Sequence, residues 1–141
     1  ARCDGDGVNI DGDDAVIDSN KIESVDSRGI DFFGDNPQIT KNKVESTGSD
    51  GVDVYCSGCS GGLVAKNKVK SVIDDDTCFA FFVSASDPND PNAPVAPPAG
   101  PFVVEGNAAS FCFDAGFEVS GAGATLRKNS AKNCGGDDSE S

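Results

Sequence analysis

The chain has 141 residues, 25% charged and 37% hydrophobic, with a formal net charge of −13 built from 19 aspartates and 5 glutamates against 11 basic residues. That balance repels nucleic acid and anionic membranes and favours divalent cations or a salty medium, and no apolar run approaches the roughly 18 residues of a membrane span. Histidine and methionine are absent, and six cysteines suit an oxidising, extracellular compartment without reaching the density of a disulfide scaffold. A methionine-free chain with no signal-peptide pattern reads as a processed product or a fragment, and it holds no Asn-x-Ser/Thr sequon.

Taken in chain order, the predicted elements recur. Gly7 opens the alternating strand Val8-x-Ile10, Gly29 opens Ile30-x-Phe32, Gly51 opens Val52-x-Val54 and Gly116 opens Phe117-x-Val119; the fourth copy has Cys78 in the glycine place, before Phe79-x-Phe81. Period-two alternation turns these apolar pairs inward, and glycine allows the positive φ or close backbone approach of a tight corner. Downstream in each copy stands an asparagine with an apolar or small residue three before and two after it: Asn20, Asn42, Asn67, Asn107 and Asn129. Their spacings of 22, 25, 40 and 22 residues define a unit of 22, with two insertions. Three residues beyond each Asn-x-apolar step lies one more inward column, Val25, Thr47, Val72, Cys112 and Cys134, which extends backwards to Cys3. A unit this short cannot bury its own apolar face, so the copies must stack.

With these residues the chain resembles the right-handed parallel β-helix family of pectate-lyase-like and NosD-like coils, over roughly residues 3 to 134. The resemblance implies an all-β solenoid of about five coils, a single domain over residues 1–141, whose stacked asparagines form a hydrogen-bonded corner ladder. It says little about chemistry, because this fold hosts enzymes, adhesins and inert spacers alike.

Register places part of the cysteine chemistry. Cys112 and Cys134 fall in one inward column on neighbouring coils, about 4.8 Å apart, which a disulfide accepts. Cys56 and Cys59 sit in a Cys-Ser-Gly-Cys insertion; a local bridge, or separate bonds to Cys78 and elsewhere, is expected over a redox or zinc role. Cys3 is the odd residue, at the N-terminal edge of the stack. A β-helix exposes unpaired backbone at its ends, and neither end shows a capping segment, so the coils are expected to stack head to tail on identical copies or to belong to a longer protein. In the first case Cys3 neighbours Cys134 of the next subunit, and that pair competes with Cys112–Cys134.

Two outward columns carry the candidate ligand site: Asn9, Asp31, Asp53, Ala80 and Glu118, and beside them Asp11, Phe33, Tyr55, Phe82 and Ser120. Phe33, Tyr55 and Phe82 with Asp31 and Asp53 read as a sugar-binding strip, the rings for pyranose faces and the carboxylates for hydroxyls or Ca²⁺. The competing reading is an aromatic stack that stabilises the sheet. A basic row, Lys21, Lys43 and Lys68, with Lys41, Lys66 and Lys128 on the other side of the asparagines and Glu23 and Glu45 beyond, is a solvated mixed-charge face or a contact strip for acidic polysaccharide. The proline-rich stretch 84–101 must leave the stack as a loop, as a lateral arm or a lid over the aromatic strip.

The resemblance also frames catalysis. Family lyases combine a Ca²⁺ carboxylate cluster with a basic residue that takes the proton beside a uronate carboxylate, and no arginine or lysine stands in the two outward columns. Family hydrolases use histidine, which is absent. The acidic runs near Asp4-Gly5-Asp6 and Asp11-Gly12-Asp13 miss the EF-hand spacing. The resulting expectation is a non-enzymatic, extracellular structural module with no catalytic residue and no required cofactor, able to self-associate into a filament; the alternative is a glycan-binding or truncated lyase-like domain.

Overall fold

A computed structural model describes residues 3–74, 76–85, 92 and 100–135. Fifteen strands run in five rungs of three: β1 (Val8–Asp11), β2 (Val16–Asp18) and β3 (Lys21–Val25); β4 (Ile30–Phe33), β5 (Gln38–Thr40) and β6 (Lys43–Thr47); β7 (Val52–Ser57), β8 (Gly62–Ala65) and β9 (Lys68–Val72); β10 (Phe79–Ser84), β11 (Phe102–Glu105) and β12 (Ala108–Cys112); β13 (Phe117–Gly121), β14 (Ala124–Arg127) and β15 (Ser130–Lys132). They form three parallel five-stranded sheets, β1-β4-β7-β10-β13, β2-β5-β8-β11-β14 and β3-β6-β9-β12-β15. This is the expected parallel solenoid, and no helix occurs among the described residues. Most of the proline-rich stretch 84–101 lies outside the described residues, as do Arg2 and the polar tail from 136 onward.

Each inward column predicted from the repeat is a register line of the structure. Val8, Ile30, Val52, Phe79 and Phe117 align, and Val25, Thr47, Val72 and Cys112 continue from the Cys3 bridge. The three middle rungs bury Phe32, Ile39, Val44, Val54, Val64 and Phe102 completely. At the strand-opening corners it is close approach, not positive φ, that demands glycine: a Cβ on Gly29 would overlap Val44 Cγ1, and one on Gly51 would overlap Val69 Cγ1. Cys78 takes that place in the fourth rung, where the facing column position is Ala109 instead of Val69, while Gly116, which faces Ala131, is kept.

The left-handed corners lie elsewhere. Ser19, Lys41, Lys66, Gly106 and Lys128, each immediately before a ladder asparagine, have φ of 55 to 65°. A second line, Ser24, Ser46, Ser71, Phe111 and Asn133, has φ of 53 to 63°. The first line turns the chain from the second sheet into the third, and the second kinks it near the ends of β3, β6, β9 and β12, despite the roughly 1–2 kcal/mol such a conformation costs an L-residue.

The asparagine ladder meets part of that cost. Asn67 Nδ2 donates to Ile39 O (2.7 Å) and to Asn107 Oδ1 (3.0 Å), while its own Oδ1 accepts from the Asn42 backbone N–H (2.9 Å) and Asn42 Nδ2 (3.0 Å). The pattern repeats from Asn20 to Asn129. Asn42, Asn67 and Asn107 are buried, so unpaired amides there would each cost about 1–3 kcal/mol.

Candidate functional site

The outward face of the first sheet brings the predicted strip together. Asp31 pairs in register with Asp53, and Phe33 with Tyr55 and then Phe82. The rings stack on each other: Phe33 and Tyr55 lie 5.0 Å apart at 6°, and Tyr55 and Phe82 lie 4.6 Å apart at 11°. Both faces of Tyr55 are therefore covered by neighbouring rings, and a sugar would meet mainly edges. Parallel register brings the three positions within about 4.8 Å of one another, and the side-chain torsions then lay the rings face on face.

No arginine or lysine stands in the two outward columns, yet a cation reaches their carboxylates from the corner. Arg28, at the corner before β4, puts Nε 3.0 Å from Asp53 Oδ2 and 3.9 Å from Asp50 Oδ2, and Nη1 3.4 Å from Asp31 Oδ2. Its backbone N–H donates to Asp6 Oδ1 (3.0 Å), and Asn9 Nδ2 links Asp6 to Asp31, 3.0 Å from each. Arg28 was missed because it stands in neither outward column. The signal was there: Asp6, Arg28 and Asp50 each precede a strand-opening glycine, so stacking puts opposite charges one above another.

Burial pushes the Asp50 carboxyl up to about 6, with Asp76 and Asp53 adding to the effect and the Thr77 N–H and Arg28 opposing it. Burial also raises Asp53, against the pull of Arg28. At Asp6 burial acts in the same direction, but hydrogen bonds from Ser27 and Asn9 and the contacts of Arg28 outweigh it, and the carboxyl is lowered. This donor set does not fit the Ca²⁺ ion of the family lyases, because the guanidinium already stands among the carboxylates an ion would need.

The cysteines differ from expectation at one pair. Cys56–Cys59 is a local disulfide, one of the two arrangements expected for that insertion. Cys112 bonds to Cys78 rather than to Cys134, because the Cys78 side chain enters the core at the corner where the other rungs have glycine. Cys3 and Cys134 are free thiols.

A second face is more sharply defined. On the outward side of the third sheet one line runs Lys21, Lys43, Lys68, Ala108, Ser130, and the next Glu23, Glu45, Lys70, Ser110, Lys132. Lys41, Lys66 and Lys128 occupy the corner that leads into it. All eight lysines of the chain thus stand on this sheet or that corner. With Arg127 at the end of β14 they make nine cations against four carboxylates, Glu23 and Glu45 on this sheet and Asp18 and Glu105 at the ends of β2 and β11 beside the corner. The face carries +5, and the other described residues carry −13. Ion pairs such as Lys21–Glu23 (2.8 Å) and Lys43–Glu45 (3.0 Å) hold the side chains upright, and Lys70 lies over the Phe111 ring. Small Ala108 and Ser110 leave a shallow depression beside Lys43, Lys68 and Lys70.

The profile of the family described as "Right handed beta helix region" matches residues 1–137. The chain belongs to the right-handed β-helix family. No curated protein and no solved structure gives a significant match. As a right-handed β-helix the chain shares its fold with enzymes and non-enzymes alike, and the reading of its role rests on the two faces just described.

Proposed function

We propose that this β-helix is a non-catalytic, extracellular structural module that docks through its lysine face on acidic polysaccharide. The observation that carries the reading is the segregation of all eight lysines onto one sheet and its leading corner in an otherwise strongly acidic chain. On the first three rungs of that sheet lysines recur at the rung spacing of about 4.8 Å, and Lys132 follows on the fifth, a comb for a linear polyanion. The Arg28 contacts of Asp31 and Asp53, and the ring-on-ring packing of Phe33, Tyr55 and Phe82, support a structural role for the first sheet. Two disulfides favour an oxidising compartment.

The test is retention on immobilised polygalacturonate against a neutral glucan, with salt elution. Retention by the polyanion alone is expected, with loss in a Lys43→Glu/Lys68→Glu double variant and none in Phe33→Ala/Tyr55→Ala. Binding that survives the charge reversal and disappears with the aromatic pair would return the site to the first sheet and the glycan-strip reading.

A second reading, head-to-tail association into a filament, draws support from one observation. Free Cys3 and free Cys134 lie in the same inward column at opposite edges of the described stack. Negative-stain electron microscopy with and without reductant tests it; fibres with an axial repeat of about 24 Å, five rungs, are expected, and uniform small particles in both conditions would dismiss it.

A further inference from the structure

Three sulfurs meet at the C-terminal end of the core. Cys78 and Cys112 form a buried disulfide, and the half-buried free thiol of Cys134 lies against Cys112 Sγ. The three sulfurs all lie within 4.8 Å of one another. Gly116 borders the cluster, with Cys134 Sγ 3.4 Å from where a Cβ would stand. Ser110 pairs with Lys132, so the same register puts Cys134 directly over Cys112, at the separation a disulfide between adjacent strands requires.

We infer that these residues form a thiol–disulfide exchange site in which Cys112 alternates between two partners. Cys134 gives its proton to solvent, and the thiolate attacks Cys112 Sγ. The Cys134–Cys112 bond forms as the Cys112–Cys78 bond breaks, and the electron pair leaves on Cys78, which takes up a proton. One disulfide and one thiol stand on each side, so no oxidant or reductant is consumed.

The two isomers constrain different parts of the chain. Cys78–Cys112, 34 residues apart, closes the fourth rung and ties together the two sides of the stretch 84–101. Cys112–Cys134, 22 residues apart, releases that ring and fastens the fifth rung to the fourth. Loop closure at these two lengths shifts the isomer ratio by only about twofold, so loop size does not forbid either state.

The experiment uses the whole chain with Cys3→Ser, which removes the other free thiol. Protein is held at pH 8, quenched in acid and digested with pepsin at pH 2, where exchange stops, and the cross-linked peptides are identified by mass spectrometry. Both the Cys78–Cys112 and the Cys112–Cys134 peptides are expected. Their ratio should be reached about tenfold faster per pH unit while the attacking thiol is mostly protonated. A further Cys78→Ser change should give Cys112–Cys134 in air, and Cys134→Ser should give Cys78–Cys112 alone. A single pair with no interconversion in the Cys3→Ser protein would overturn the inference. So would a folded Cys78→Ser protein, judged by circular dichroism, whose Cys112 and Cys134 both remain free thiols.

Discussion

Asn67 and Asn20 occupy equivalent places in the ladder but not in the solvent. Asn67 is fully buried and joined above and below, whereas Asn20 is exposed on the first rung and its amide joins only Asn42 and the Asp18 carbonyl. Truncating Asn67 to alanine strands several buried groups and should destabilise by about 3 kcal/mol or more, while Asn20→Ala should cost below about 1 kcal/mol; urea denaturation of the two variants checks the difference. Asp50 makes a prediction of opposite sign. Folding raises its pKa from 3.8 to about 6, so its stabilising contribution is complete below pH 3.8 and is lost as pH rises through about 6. Its side chain is only 14% exposed, and the pKa difference corresponds to about 3 kcal/mol at most. Asp50→Asn keeps the oxygen that accepts the Thr77 N–H and should gain about 1–3 kcal/mol at pH 7.5, with the advantage gone below pH 4 in denaturation at the two pH values.

The element that most changes its meaning between sequence and structure is the outward aromatic line of β4, β7 and β10. The positions were legible because the alternation of Ile30-x-Phe32 fixes Phe33 outward, and the same holds for Tyr55 and Phe82. Ring direction was not legible, because a side-chain torsion is set by the neighbour above and below and not by the residue's own period. With each ring stacked on the next, Tyr55 is the central contact of the line. Tyr55→Ala should destabilise by about 1–3 kcal/mol, since ring pairs contribute about 0.5–1.5 kcal/mol each, and Phe33→Ala, which breaks a single pair, by less. Thermal unfolding of both variants tests the order, and equal small losses would show that the rings do not cooperate. The lysine line behaved differently: its alignment followed from the asparagine register, but its extension by Lys70 and Lys132 became visible only when β9 and β15 were placed in the same sheet.

At the scale of the whole molecule the solenoid turns a sequence period into a separation of charge, with +5 on one face and −13 on the other described residues. A polyanion held by that face should release counterions on binding. Its affinity should therefore fall steeply as salt is raised from 0.05 to 0.2 M, and less steeply in the Lys43→Glu/Lys68→Glu variant if any binding remains. A salt-independent affinity would point away from the lysine face. The repeat of 22 residues by itself determined the fold, the inward columns and the asparagine ladder, because stacking identical units leaves one register that buries every apolar position. Tertiary structure alone decided that the Arg28 side chain turns into the aspartate cluster and that Cys112 bonds to Cys78 while Cys134 stays a free thiol. Each of these depends on where a side chain at a corner turns, and corners, unlike strands, have no period from which that direction can be read.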